Sequence, residues 1–154
     1  MNGLAHLYPV EPVFNISLFS GYGGLDEGVR RAVPGLRTVA YVEREAFAIA
    51  ALVAQMEADA LDSAPVFTDV AAFDGKGFAD ELLRVTGRRV RSITGGFPCQ
   101  DISVAGKGAG ITGERSGLWF RMRDIIRDVG PDVVFLENVA AITRRGMDAV
   151  LGFF

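Results

Sequence analysis

A thiol and a carboxyl group follow successive β-rich runs in this chain, and together they are the residues best placed for covalent chemistry. The single cysteine, Cys99, lies in Thr94-Gly95-Gly96-Phe97-Pro98-Cys99-Gln100, at the end of an apolar run. Inert cysteines sit inside apolar runs, whereas this one stands between Pro98 and Gln100 in a glycine-flanked loop, a position that favours a nucleophile over a buried thiol. The next run ends in Phe135-Leu136-Glu137-Asn138-Val139. Burial of Glu137 there would raise its pKa and let it donate a proton, as a general acid must. Between the two, residues 101–114 carry Gly106, Gly108, Gly110, Gly113 and Lys107. That stretch is long enough to close over a substrate, or to run as a plain surface loop.

Three further positions suit a nucleotide-like ligand. Phe19-Ser20-Gly21-Tyr22-Gly23-Gly24 is a glycine-rich turn entering a helix, where a ligand meets free amides; a tight strand-to-helix turn explains it equally well. Glu43 ends the second run, roughly 20 residues after the turn, where an acidic side chain accepts from a ribose diol in nucleotide-binding units. Asp69 follows the third run and suits an exocyclic adenine amine, although such a residue also serves as a helix cap. Taken together, the three point to an adenosine-bearing ligand.

The elements that must position these residues alternate. β-Rich runs at 13–19, 37–42, 65–68, 89–94 and 132–136 are separated by helical spacing at 25–33, 46–57, 78–86 and 118–129. Four of the runs read as fully apolar, which predicts an α/β domain: a mostly parallel, doubly wound sheet with helices on both faces and ligands beyond the strands' carboxyl ends. A further helix starts near 143–147. The apolar ending Leu151-Gly152-Phe153-Phe154, with no cap and nothing following to pack on, predicts a helix cut short; a short docked terminal helix is the alternative.

Composition narrows the class. With 154 residues, 49% hydrophobic and 23% charged, the chain reads as one globular domain or part of one. Its longest apolar run, 46–54, is far shorter than the roughly 20 residues a membrane span needs, and residues 1–12 lack a secretion pattern. One cysteine and one histidine leave neither an internal disulfide nor a zinc cluster, so no metal is expected and the setting reads as cytoplasmic. A net charge of −3 means that any nucleic-acid contact is local, and clusters such as Arg88-Arg89-Val90-Arg91 and Arg144-Arg145 read first as solvated faces.

The glycine turn, Glu43, Phe97-Pro98-Cys99-Gln100 and Glu137-Asn138-Val139, in that order, resemble the amino-terminal half of the catalytic domain of DNA cytosine-5 methyltransferases of bacterial or phage type. The resemblance runs from about Asn15 to the end, and Asp69-Val70 and Arg115-Ser116-Gly117-Leu118-Trp119 are similar to that family's cofactor-contacting segments. It implies a Rossmann-like methyltransferase fold, present here in part, with S-adenosylmethionine as cofactor and double-stranded DNA as substrate. Phe19 would lie against the adenine, and Ser20, Gly21, Tyr22, Gly23 and Gly24 near the methionine part. Glu43 would hold the ribose, and Asp69, Val70 and Leu118 the adenine side. Cys99, flanked by Pro98 and Gln100, would attack C6 of a flipped cytosine, while Glu137, beside Asn138, would hold and protonate its Watson–Crick edge. Ser103 and Lys107 would contact the DNA.

Two positions depart from the family pattern. Ser17 stands where the family has a strand-one aspartate, and Arg44 where an aromatic residue is common. The family's later arginine motif, remaining strands and target-recognition domain have no counterpart in these 154 residues. The alternatives are therefore an inactive remnant, or a cofactor-binding module that needs a complementing chain. A nicotinamide-dependent dehydrogenase explains the glycines and Glu43 but leaves Cys99 and Glu137 idle.

Overall fold

A computed structural model of the chain describes residues 11–97, 117–138 and 147–154. The elements are β1 (Val13–Leu18), α1 (Gly24–Ala32), β2 (Leu36–Val42), α2 (Ala46–Glu57), β3 (Val66–Phe67), α3 (Gly75–Thr86), β4 (Val90–Gly95), α4 (Gly117–Val129), β5 (Val133–Leu136) and α5 (Met147–Leu151). The five strands form one sheet in the order β3-β2-β1-β4-β5, and every pairing is parallel. Leu18 pairs with Val42 and Gly95, Val42 with Phe67, and Gly95 with Leu136. The residues that follow, Phe19, Glu43, Thr68, Gly96 and Glu137, therefore leave the sheet along one edge.

Helices cover both faces, as the alternation predicts. Ala40 and Val42 of β2 join Ile16, Leu18, Ile93, Trp119, Met122 and Ile125 in the main core, which packs the sheet against α4. Tyr41, between them, points the other way and packs with Leu52 of α2 and Leu61. The main core extends under the site through Phe67, Phe73 and Phe78, whose ring centroids lie 4.8–5.9 Å apart.

Three expectations need adjustment. First, α3 starts three residues earlier than the spacing predicts, because the Asp74 carboxylate caps it by accepting the Gly77 amide at 2.9 Å. Second, β1 and β4 are not fully apolar: Asn15, Ser17, Ser92 and Thr94 are buried on the face toward α1, joined by Thr38 of β2. Third, the end of the chain does have a surface to pack on. Val150 is buried, and the Phe153 ring meets Trp119 edge-on at 6.4 Å.

Candidate cofactor site at the carboxyl edge of the sheet

At this edge the backbone turns sharply. Phe19 has φ of 54°, a left-handed conformation uncommon for a phenylalanine, and Gly21 and Gly23 follow at 53° and 77°. The turn is held by its own polar groups: the Ser20 amide donates to the Val42 carbonyl at 3.2 Å, and the Ser17 and Ser20 hydroxyl oxygens lie 2.8 Å apart, within hydrogen-bond distance. Glu43 ties the turn to β2. Its Oε2 accepts the Gly21 amide and its Oε1 accepts the amides of Arg44 and Glu45, all at 2.8 Å. Three donors fix the carboxylate in place and leave acceptor capacity for a ligand hydroxyl.

A cavity of about 730 Å³ opens beside Glu43, lined by Phe19, Gly21, Glu43, Asp69, Val70 and Leu118 among others. A second, of about 400 Å³, is lined by Ser20, Gly21, Tyr22, Gly24, Gly96 and Glu137 among others. Phe19, Gly21 and Gly96 line both, so the two adjoin. Gly23 lines neither and backs instead onto Leu52 and Leu61. Pro98, Cys99, Gln100, Ser103 and Lys107 lie outside the described residues.

Glu137 is exposed rather than buried. Its position depends on Gly96: a Cβ there would lie 2.8 Å from Glu137 Oε2. Asn138 donates to the Phe97 carbonyl at 3.0 Å, linking the ends of β4 and β5. At Gly95 a Cβ would meet the Met122 Cε and lie 3.0 Å from the Leu18 carbonyl. The two glycines are thus expected to behave differently. Gly95→Ala should cost about 1–3 kcal/mol by overpacking. Gly96→Ala should change stability by less, because only the free end of Glu137 must move, yet it should displace that carboxylate. Chemical denaturation paired with the nuclear magnetic resonance shifts of the Glu137 side chain separates the two effects, and equal destabilisation would contradict them.

The residue that inspection of the sequence missed is Asp26. It is 2% exposed, in the first turn of α1, and lines the smaller cavity. Its Oδ1 accepts from Thr94 at 2.6 Å and its Oδ2 from Ser17 at 2.7 Å, while Asn15 joins Thr38, Thr94 and Ser92 into the same network. Among the described residues this carboxylate has no cationic partner. Ser17, on β1, donates to this carboxylate across the start of α1. The alternation of Asn15, Ser17, Ser92 and Thr94 along two strands marks a buried polar face in the sequence, but it does not name the acid that this face meets.

Burial pushes the Asp26 carboxyl above its ordinary 3.8, and the bonds from Thr94 and Ser17 oppose that only in part. A carboxyl raised by folding takes up protons on folding. Its contribution is full below the unfolded value and is lost as pH rises through the folded one. The stability of the native chain relative to Asp26→Asn is therefore expected to fall as pH rises from below about 4 toward neutrality. Urea unfolding across that range measures it, and a pH-independent difference would contradict the assignment.

The arginine cluster lies elsewhere. Arg88 pairs with Glu11, and Arg89 and Arg91 pair with Asp132, at the opposite end of the sheet from the cavities. Among the described residues no helix is long and apolar enough to cross a membrane.

The C-5 cytosine-specific DNA methylase family profile matches residues 14–149. The Psychrobacter type II methyltransferase M.PspPI is 32% identical over 130 residues, covering 84% of this chain and 28% of that protein. M.CviJI, from a Paramecium bursaria Chlorella virus, is 33% identical over 124 residues, covering 80% and 29%. The chain thus spans under a third of the length of these relatives. In structure it is similar to Schizosaccharomyces pombe Dnmt2 methyltransferase, with a TM-score of 0.65 at 16% identity over 92% of this chain and 39% of that one. A Spodoptera frugiperda DNMT2 mutant gives 0.64 at 16% identity over 89% and 38%. These likenesses agree with a Rossmann-like methyltransferase fold, and the match across residues 14–149 makes the chain a member of the C-5 cytosine-specific DNA methylase family.

Proposed function

We propose that the carboxyl edge of this sheet binds S-adenosylmethionine and that the chain carries the catalytic residues for methyl transfer to C5 of cytosine in double-stranded DNA. The observation that supports this most is the in-register edge itself. Two adjoining cavities extend along it, one with Asp69 and Glu43, acceptors suited to an adenine amine and a ribose diol, the other with Glu137, and Phe19 lines both. The apolar walls from Phe19, Val70 and Leu118 suit a purine ring, so the residues present fit the cofactor.

When bound, the cofactor supplies an activated methyl group on a sulfonium. The protein's part is to make C5 nucleophilic. The Cys99 thiolate adds to C6 of a cytosine flipped from the duplex, forming an S–C6 bond and moving the ring electron pair toward C5. Glu137 holds the Watson–Crick edge and gives a proton to N3 as charge develops there. After C5 has taken the methyl group, a base removes the C5 proton, the C5–C6 double bond returns as the Cys99 thiolate leaves, and the N3 proton goes back to Glu137. Ser103 and Lys107 contact the DNA, and Pro98 and Gln100 hold the thiol.

Duplex DNA containing 5-fluorocytosine tests the mechanism, because fluorine at C5 blocks that last elimination. The native chain should form a denaturant-stable adduct in the presence of S-adenosylmethionine, and Cys99→Ser should form none. Adduct that persists in Cys99→Ser sinks the mechanism.

A second reading, in which transfer needs a complementing chain, would place that chain against the apolar cavity of about 750 Å³ beside β5, lined by Val134, Leu136, Val150 and Phe153 among others. Leu151 and Phe154, which also line it, are 62% and 65% exposed. Cofactor binding without adduct in either chain supports this reading.

A further inference from the structure

The turn after β3 has no regular structure of its own, yet it carries Asp69 and Val70 into the larger cavity. Internally it is closed by Asp69 Oδ1 accepting the Ala71 amide at 2.8 Å and by the Phe73 amide donating to the Asp69 carbonyl at 3.0 Å. Its outward carbonyls are gathered by one side chain from α4. Arg121 Nε donates to the Val70 carbonyl at 3.0 Å, and its terminal nitrogen donates to the Phe73 carbonyl at 2.8 Å. Arg121 lies one helical turn after Leu118, which lines the same cavity from the other side. A planar guanidinium fork can hold two carbonyls in a fixed relation, which a lysine ammonium cannot do with the same geometry.

We infer that Arg121 is a positioning residue for base recognition: by clamping residues 70 and 73 it holds Asp69 where its carboxylate accepts from an exocyclic amine. The inference rests on the cofactor assignment above. With the clamp released, the Val70 and Phe73 side chains stay buried in the core beside α4, but the backbone between them, which carries Asp69 into the cavity, loses the guanidinium that fixes its carbonyls. Asp69 is exposed and has no other anchor to the helix layer among the described residues. The consequence falls on selectivity. Adenine offers a donor at its 6-position and hypoxanthine offers an acceptor, so a fixed Asp69 carboxylate attracts the first and repels the second.

The test is the affinity of the full chain for S-adenosylhomocysteine and for its inosine counterpart, S-inosylhomocysteine, by calorimetric titration. The native chain should prefer the adenine compound by about tenfold or more, the worth of one hydrogen bond to a charged group. Arg121→Ala should reduce that preference to about threefold or less, and Asp69→Ala should do the same. Arg121→Lys should fall between, and it serves as the readout if the alanine variant does not fold. A general loosening of the fold weakens both ligands alike and leaves their ratio unchanged. A native-like ratio in Arg121→Ala or Arg121→Lys, or no preference in the native chain, overturns the inference while the cofactor assignment stands. Failure of the native chain to bind S-adenosylhomocysteine at all overturns both.

Discussion

Replacing Trp119 by alanine is expected to remove about 3–5 kcal/mol of stability, the range for deleting a fully buried large aromatic side chain. Trp119 is 1% exposed, packs on Phe97 with the rings tilted by 42° at a centroid distance of 4.9 Å, and meets Phe153 at 6.4 Å. Domains of this kind are stable by about 5–15 kcal/mol in total, so the loss takes a large share. The position matters beyond stability, because Phe97 immediately precedes Pro98-Cys99. The same contact that closes the core therefore anchors the start of the segment bearing the thiol. Trp119→Phe keeps an aromatic partner for Phe97 and should cost clearly less. Leu151→Ala, at a side chain 62% exposed, should change stability by about 0.5 kcal/mol or less. Urea unfolding of the three variants measures the series, and a Trp119→Ala loss below about 1 kcal/mol would contradict the packing described.

Glu43→Ala is expected to weaken S-adenosylmethionine binding by at least about tenfold, because one charge-assisted bond to a ribose hydroxyl is worth about 1.5–3 kcal/mol. The variant also strands the amides of Gly21, Arg44 and Glu45, which the carboxylate holds at 2.8 Å. Loss of the Gly21 bond frees the turn that places Phe19. Glu43→Gln retains an acceptor oxygen but no charge and should fall between native and alanine. Glu57, exposed at the end of α2 and outside the lining of both cavities, provides the control, and Glu57→Gln should bind as the native chain does. Titration calorimetry reads all three, and a Glu43→Ala affinity within about twofold of native would remove Glu43 from the site.

The parallel sheet was legible because its signals are local. Apolar runs bounded by glycine or acidic residues, alternating with helical spacing, specify βαβ units, and their carboxyl ends point to one edge whatever the exact boundaries. Glu43, Asp69 and Phe19 could be placed on that edge from the sequence for the same reason. Asp26 could not, since in sequence it is an ordinary acidic residue in the first turn of a helix. Its role appears only when Ser17 of β1 and Thr94 of β4 arrive from 9 and 68 residues away. Arg121 is illegible on the same grounds, because its partners are carbonyls 51 and 48 residues distant, and a carbonyl has no residue type to recognise. The exposure of Glu137 was misjudged because a residue following an apolar strand is buried only if something covers the strand's end.

The central claim is that the cofactor lies on the carboxyl edge between β2, β3 and β1. Isotope-filtered nuclear Overhauser spectroscopy of the chain saturated with S-adenosylmethionine tests it most directly. The account predicts contacts from the adenine protons to the Phe19 ring and to the Val70 and Leu118 methyl groups, and from the ribose protons to the Glu43 side chain. Contacts instead to Val134, Leu136, Val150 or Phe153, in the apolar cavity beside β5, would contradict it.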